Sequence, residues 1–328
     1  MDSEFSGKRA LITGGSGFIG FHLGKRLESL GSHVILVDKK YPNENDLEFQ
    51  DFIQKESVDF LLADLTNELE VNKLPISEYV FHFAALNGTQ NFYEKPFDVL
   101  VNSGMPIVHL LNHFGCKTKF IYAGSSESYA PGIKLGITSI PTPEEAPFII
   151  DDPTNPRWSY SMGKSFGEIA IQAYGTQKNF NSMVIRFHNV YGPRMGINHV
   201  VPDLILNAIN NKFILKGWEN TRSFIYIDDA ITDIIKLVTE NEFSETSVFN
   251  LGGDDEVSIL SLASLLLKVM KIDAEFDLEE APIGSVMRRR PDLALINSTL
   301  GDRERVSLSA GLEKTVNWYI QNRWVLRS

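Results

Sequence analysis

The chain has 328 residues, 43% hydrophobic and 22% charged, which suits one large α/β unit or two domains sharing a cleft and excludes a disordered or low-complexity chain. A formal net charge of -11 argues against nucleic acid as the main partner, and a single cysteine, Cys116, rules out a disulfide framework and a cysteine-rich zinc module. Seven histidines without ligand spacing imply no metal site; no apolar run reaches the roughly 18 residues of a membrane span, and the start lacks a basic-then-apolar leader, so the expectation is a cytoplasmic protein with no membrane partner.

Along the chain, short β-rich apolar runs alternate with helix-period segments. Residues Arg9 to Thr13, His33 to Asp38, Asp59 to Leu62, Tyr79 to Ala85 and Lys119 to Ala123 read as strands, with Phe18 to Leu30, Leu47 to Glu56 and Asp98 to Phe114 as helices between them. Ser182 to Phe187 and Val248 to Asn250 read as later strands of the same sheet. This alternation predicts right-handed crossovers and a Rossmann-type, doubly wound parallel α/β sheet. Ala130 to Pro156 holds six prolines and little periodicity, which predicts a long ordered loop. From about Tyr191 the alternation breaks down. The predicted division is therefore a dinucleotide-binding domain over 1–190, joined by elements from about 225–252, and a smaller C-terminal substrate lobe over 191–328.

The first strand runs directly into Thr13-Gly14-Gly15-Ser16-Gly17-Phe18-Ile19-Gly20, and a helix follows. Glycines at 14, 17 and 20 allow a tight turn, close backbone approach to a pyrophosphate, and packing of helix on strand. The helix N-terminus supplies free N–H groups and a partial positive charge. Asp38 ends the second strand at the distance expected of a carboxylate that binds ribose hydroxyls and repels a 2′-phosphate, which favours NAD, although Lys39 and Lys40 beside it could accommodate that phosphate. Asp64, after the third strand, is placed either to touch adenine or to cap a helix; Phe83-Ala84-Ala85 end the fourth strand on the same edge.

Taken together, Thr13 to Gly20, Asp64-Leu65, His82-Phe83-Ala84-Ala85, Ser125-Ser126-Glu127, Tyr160 with Lys164, and Arg186 to Arg194 resemble the extended short-chain dehydrogenase/reductases, and within them the nucleotide-sugar epimerases, dehydratases and decarboxylases. The resemblance implies cofactor contacts at Gly14, Gly17, Phe18, Ile19, Asp38, Asp64, Leu65 and Ala84, with Tyr160 and Lys164. It also implies that Tyr160 removes the proton of a sugar hydroxyl, usually at C4, as hydride passes to NAD. Lys164, one helical turn on, would lower the phenol's pKa and bind the nicotinamide ribose. Ser125, just past the fifth strand, matches the family's serine or threonine that holds the substrate oxygen. Ser126-Glu127 resembles the decarboxylases most; Glu127 is a candidate general base or substrate orienter, against a rim salt bridge as the competing explanation.

The expected partner is a nucleoside diphosphate sugar. By resemblance, Asn189, Arg194 and Arg222 bind it, and the Arg288-Arg289-Arg290 run closes over the diphosphate, with Arg288 and Arg290 chosen as the inward pair. Gly163 stands where many relatives carry serine or alanine, and Asn87 to Tyr93 departs from the common epimerase text and has no lysine for a uronate. Helices Asp98 to Phe114 and Ser159 to Gln177 match those that pair between subunits, implying a homodimer built on a four-helix bundle. The expected activity is oxidation at C4 followed by epimerisation, dehydration or decarboxylation. A dehydrogenase that stops at the 4-keto sugar is the alternative, and a non-catalytic NAD-binding sensor, which typically loses the Tyr or the Lys, is a further one.

Overall fold

The apolar runs become one seven-stranded parallel sheet in the order Val58–Leu62, His33–Asp38, Arg9–Thr13, Tyr79–His82, Lys119–Ser125, Ser182–Phe187, Ser247–Leu251. The computed structural model describes residues 2–178, 180, 182–197, 199–240, 246–281 and 285–327. Strand order reverses between Arg9–Thr13 and Tyr79–His82, and such a switch point opens a crevice at the C-terminal ends of the strands.

Continuous apolar strands are required because both faces of the sheet are covered. Alternate residues of one strand enter different cores. Leu11, Ile35, Val37 and Val80 pack with Ile107, Leu110, Leu111 and Ile171 on one side. Ala10, Ile12, Val34 and Leu36 pack with Phe21, Leu23 and Leu27 on the other, and that core continues into Ile231, Ile234 and Leu237 of the helix Ile227–Glu240.

Several expected boundaries move by one or two residues, and three shifts have local reasons. The fourth strand stops at His82 instead of Ala85, because the Phe83 and Ala84 amides turn toward the Thr13 hydroxyl, at 3.1 and 3.2 Å. The fifth runs on to Ser125, held by pairing of Gly124 with Arg186 and Ser125 with Phe187. The helix begun at Leu47 ends at Phe52, since the chain must turn before the third strand. The long loop is ordered but includes a short helix, Ala130–Lys134. Beyond Phe187 lie small two- and three-stranded sheets and the helices Val200–Ile209, Ile259–Met270 and Leu308–Gln321. No helix among the described residues is long and apolar enough to cross a membrane.

The two longest helices, Pro96–Phe114 and Trp158–Lys178, lie against each other over the sheet. Their approach to each other, and that of the second to the fifth strand, depends on glycine. A Cβ at Gly163 would sit 2.5 Å from the Ser103 Cβ, and one at Gly167 would sit 2.1 Å from the Tyr122 hydroxyl oxygen. Gly163 is therefore no neutral departure from serine or alanine; it lets this helix seat Tyr160 and Lys164 at the sheet edge. Gly163→Ala is expected to lower stability by about 1–3 kcal/mol through overpacking, read as a lower urea midpoint, and an unchanged midpoint would remove the close-packing argument.

Candidate active site

A cleft of about 770 Å3 runs from the glycine turn to the C-terminal lobe. At its first end, backbone geometry does the shaping. Gly14 has φ 69°, and a Cβ there would lie 2.9 Å from the Ala84 nitrogen; one at Gly20 would lie 2.2 Å from the Gly14 carbonyl oxygen. Gly17 caps the helix Phe18–Ser29 without any side-chain hydrogen bond, so the first N–H groups of that helix face the cleft unclaimed. Asp38 lies at the rim, its carboxylate 2.5 Å from the Ser16 hydroxyl. Thr13 ties the floor together: its hydroxyl accepts from the Phe83 and Ala84 amides and so must donate to His82 Nδ1, at 2.7 Å. Burial, with Lys164 close by, holds His82 down to about 3, consistent with that neutral tautomer.

Midway along the cleft, the helix Trp158–Lys178 presents Tyr160 and Lys164 beside Ser125. Lys164 is buried; its Nζ donates to the Ala123 carbonyl at 2.9 Å and lies 5.8 Å from the Tyr160 ring centre. Burial pushes Lys164 down to about 7. Burial also pushes the Tyr160 phenol up, the Glu127 carboxylate adds to that, and a hydrogen bond with Ser125 opposes it. Phe92 stacks on the Tyr160 ring at 5.1 Å. It comes from the short helix Thr89–Glu94, inside the segment that departs from the common epimerase text.

Arginines dominate the lobe side. Arg289 forks onto the Glu127 carboxylate at 2.5 and 3.2 Å, and Arg157 stands 3.8 Å from the same carboxylate. Burial raises the Glu127 pKa, but Arg289, Arg157 and Arg222 outweigh it and leave the group below the usual carboxylate range. Arg222 donates to the carbonyls of Thr221, Val286 and Met287; burial, with Arg289 adjacent, brings it down to about 9.

The structure brings most of the expected residues together. Gly14, Gly17, Phe18, Ile19, Asp38, Asp64, Leu65, Ala84, Ser125, Ser126, Glu127, Tyr160, Lys164, Asn189 and Arg222 all line the cleft. Asp64 does not cap a helix; its carboxylate closes a turn on Thr66, and Asn67 is the cap. Three expectations need correction. Arg194 is outside the cleft, forked onto the buried Asp46 carboxylate and lying 3.9 Å from the Phe21 ring centre. Arg288 points outward to Glu256, at 2.7 Å, and Arg290, two residues on, has that same carboxylate as its charged neighbour. Arg289 is the inward residue. Arg288 and Arg289 pair with Thr221 and Arg222 as a short strand, and strand geometry sends successive side chains to opposite faces, so Arg288 is turned outward where Arg289 is turned in, and Arg290, just past the strand, does not line the cleft. Arg157 and Phe92 went unnoticed in the sequence, although Arg157 stands three residues before Tyr160, about one helical turn away.

The profile of the NAD dependent epimerase/dehydratase family matches residues 10–252. The chain belongs to that family. It is 28% identical to UDP-glucuronic acid decarboxylase 1 of Xenopus tropicalis, over 97% of this chain and 73% of that protein. It is also 28% identical to UDP-N-acetyl-alpha-D-glucosaminuronate decarboxylase of Bacillus cytotoxicus, over 95% and 98%. The crystal structure of UDP-glucuronic acid 4-epimerase from Bacillus cereus, in complex with UDP-glucuronic acid and NAD, superposes with a TM-score of 0.82 at 26% identity, over 95% of this chain and 99% of that one.

The family's cofactor fits the residues present. A turn that only glycine can make, an uncapped helix N-terminus and Asp38 at the rim are the features a dinucleotide requires, and Tyr160 and Lys164 stand further along the same wall. Lys164, Gly14, Gly17, Phe18, Ile19 and Asp38 would hold NAD. The buried ammonium has a measurable consequence. Below about pH 7 both folded and unfolded chains carry the proton, and the burial cost is fully present; between about pH 7 and the ordinary lysine value of 10.5 only the unfolded chain binds it, so stability rises with pH. Lys164→Met in NAD-free protein is therefore expected to raise the melting temperature more at about pH 6 than at about pH 9.5, while turnover is lost. An equal change at both pH values would contradict the buried-charge account.

Proposed function

We propose that the protein oxidises a nucleotide-linked uronic acid at C4 and then releases its carboxyl group as carbon dioxide. One observation carries this reading: a single carboxylate, Glu127, faces three guanidinium groups, from Arg289, Arg157 and Arg222, beside Tyr160 and Ser125. The site keeps an excess of positive charge where the sugar would lie, which suits an anionic sugar. It also supplies the cation that the segment after the fourth strand lacks.

Tyr160, ionised with Lys164 close by, takes the proton of the C4 hydroxyl, and the Ser125 hydroxyl holds that oxygen. NAD held beside Tyr160 and Lys164 would supply the acceptor for the C4 hydride and its donor after the second step. With a ketone at C4, the carboxylate on C5 is that of a β-keto acid: the C5–C6 bond breaks, its electron pair passes toward the C4 oxygen, and a proton then returns to C5. Arg289 and Arg157 orient the carboxylate, while Arg222 and Asn189 lie further into the lobe, with Lys216 and Asn220, for the diphosphate and nucleoside. Dehydration would instead need a base to take the C5 proton. Glu127, saturated by arginine and depressed below the carboxylate range, is a poor one, and this favours decarboxylation. The similarity to two uronate decarboxylases supports the same choice.

Incubation with UDP-glucuronate and NAD is expected to give a product lighter by one carbon dioxide, measured by mass spectrometry. An unchanged mass would mean epimerisation, loss of water dehydration and loss of two hydrogens simple oxidation; any of these, or no turnover, overturns the proposal.

We also infer a homodimer. The outer faces of the paired helices expose Phe97, Leu100, Met105, Val108, Phe166 and Ile169, and Phe97 is 75% and Ile169 60% exposed. A contiguous apolar face of this kind suits a second copy of the same pair in a four-helix bundle. The wild-type protein is expected to sediment as a dimer and Ile169→Glu as a monomer; a monomeric wild type contradicts the inference.

A further inference from the structure

Arg289 is held at the end of a flexible stem, so its usefulness depends on how firmly its backbone is fixed. On one side it pairs with Arg222 as a strand. On the other side the long loop grips the same segment. The Thr142 N–H donates to the Arg290 carbonyl at 2.9 Å, and the Asp292 N–H donates to the Thr142 carbonyl at 2.8 Å. Neither segment belongs to the central sheet. One fully buried side chain on the edge strand Ser247–Leu251 ties both to it: Asn250 Nδ2 donates to the Thr142 carbonyl at 3.0 Å and to the Asp292 carbonyl at 3.3 Å. Its Oδ1 accepts from the Tyr129 hydroxyl at 3.1 Å, and its backbone N–H donates to the Glu144 carboxylate at 2.8 Å. Arg186, on the next strand, donates to the Glu144 carbonyl at 2.6 Å and to the Tyr129 hydroxyl, and forks onto Glu168 of the helix that carries Tyr160.

We propose that Asn250 is a positioning residue for Arg289, pinning residues 139–144 to residues 289–292 so that the guanidinium stays on Glu127 and faces the substrate's anionic group. This rests on the reading of Arg289 as a ligand of the sugar carboxylate. An asparagine amide offers two N–H donors from one rigid plane, which matches two carbonyls that no other side chain among the described residues reaches. The Thr142 carbonyl also accepts from the Asp292 N–H, but the Asp292 carbonyl depends on the amide, and a side chain with no donor sets oxygen against oxygen at both contacts, so loss of the amide separates the two segments rather than leaving them in place.

The test uses the NAD-bound protein and Asn250→Asp, which keeps the size of the side chain and the acceptor for Tyr129 but removes both donors. Hydrogen–deuterium exchange is expected to quicken at least about tenfold at the amides of 140–144 and 289–292, with the helix Trp158–Lys178 unchanged. KM for UDP-glucuronate is expected to rise about tenfold with kcat within about twofold, and adding Asn250→Asp to Arg289→Ala is expected to raise KM by less than about twofold more. Tyr129→Phe, which leaves the two carbonyl contacts intact, is expected to leave KM near wild type. If Asn250→Asp does not fold, Glu144→Ala loosens the same loop from its partly buried side and is expected to quicken exchange over the same two segments. Unchanged exchange there, equal loosening of the helix, or additive effects in the double variant overturn the proposal. A wild type that does not turn over UDP-glucuronate refutes the substrate reading instead, and the exchange result alone then decides the role of Asn250.

Discussion

A lysine buried with no carboxylate paired to it among the described residues sets the electrostatics midway along the cleft. Lys164 has lost its water and gained one backbone carbonyl, that of Ala123, so its charge is costly until something anionic arrives beside it. The neighbouring phenol is in the complementary position. Burial and Glu127 both oppose ionisation of Tyr160, as burial opposes the charge on Lys164. This burial requires the helix carrying both to pack closely on two sides. Gly167 removes the side chain that would hold it off Tyr122 of the fifth strand, and Gly163 the one that would hold it off Ser103 of the neighbouring helix.

The remainder of the cleft separates two electrostatic tasks. At the glycine turn, anions meet backbone N–H groups and a helix terminus, with Asp38 marking the far limit. On the lobe side, guanidinium groups do the work, and Glu127 acts chiefly as their anchor. An acid in that position invites assignment as a base, yet the arginine fork takes up both of its oxygens. Geometry thus sets a candidate proton acceptor against three guanidinium groups, and the proposed decarboxylation draws on that arrangement.

The lobe and the sheet domain are joined by more than chain crossings. Arg194 forks onto Asp46 and lies over the Phe21 ring, with the Trp318 ring centre 5.9 Å away, joining the segment after the sixth strand to the helices Phe18–Ser29 and Leu308–Gln321. A buried ion pair gives little net stability over an apolar substitute but penalises any arrangement that parts it, which fits a joint that must fix orientation. Asn250, Arg186 and Tyr129 make a second joint of the same kind beneath the arginine cluster.

Local pattern was enough for the alternating strands and helices, the glycine turn, Asp38, and the Tyr160–Lys164 spacing, because each depends on residues within a few positions of one another: a period, a turn, one helical repeat. What lay beyond reach was set by partners far away in the chain. Whether Arg288, Arg289 or Arg290 faces inward depends on strand pairing with Thr221–Ser223, and a one-residue change of register would reverse the answer. Arg194 sits in a segment that matches nucleotide-binding relatives, but Asp46, 148 positions earlier, claims it. Phe92 and Arg157 become part of the site only once separate elements converge on Tyr160. The amino-acid order thus determined the sheet, the glycine turn and the one-turn spacing of Tyr160 and Lys164, whereas tertiary packing decided which charges meet, because ion pairing and burial are set by distance in space and leave no period in the chain.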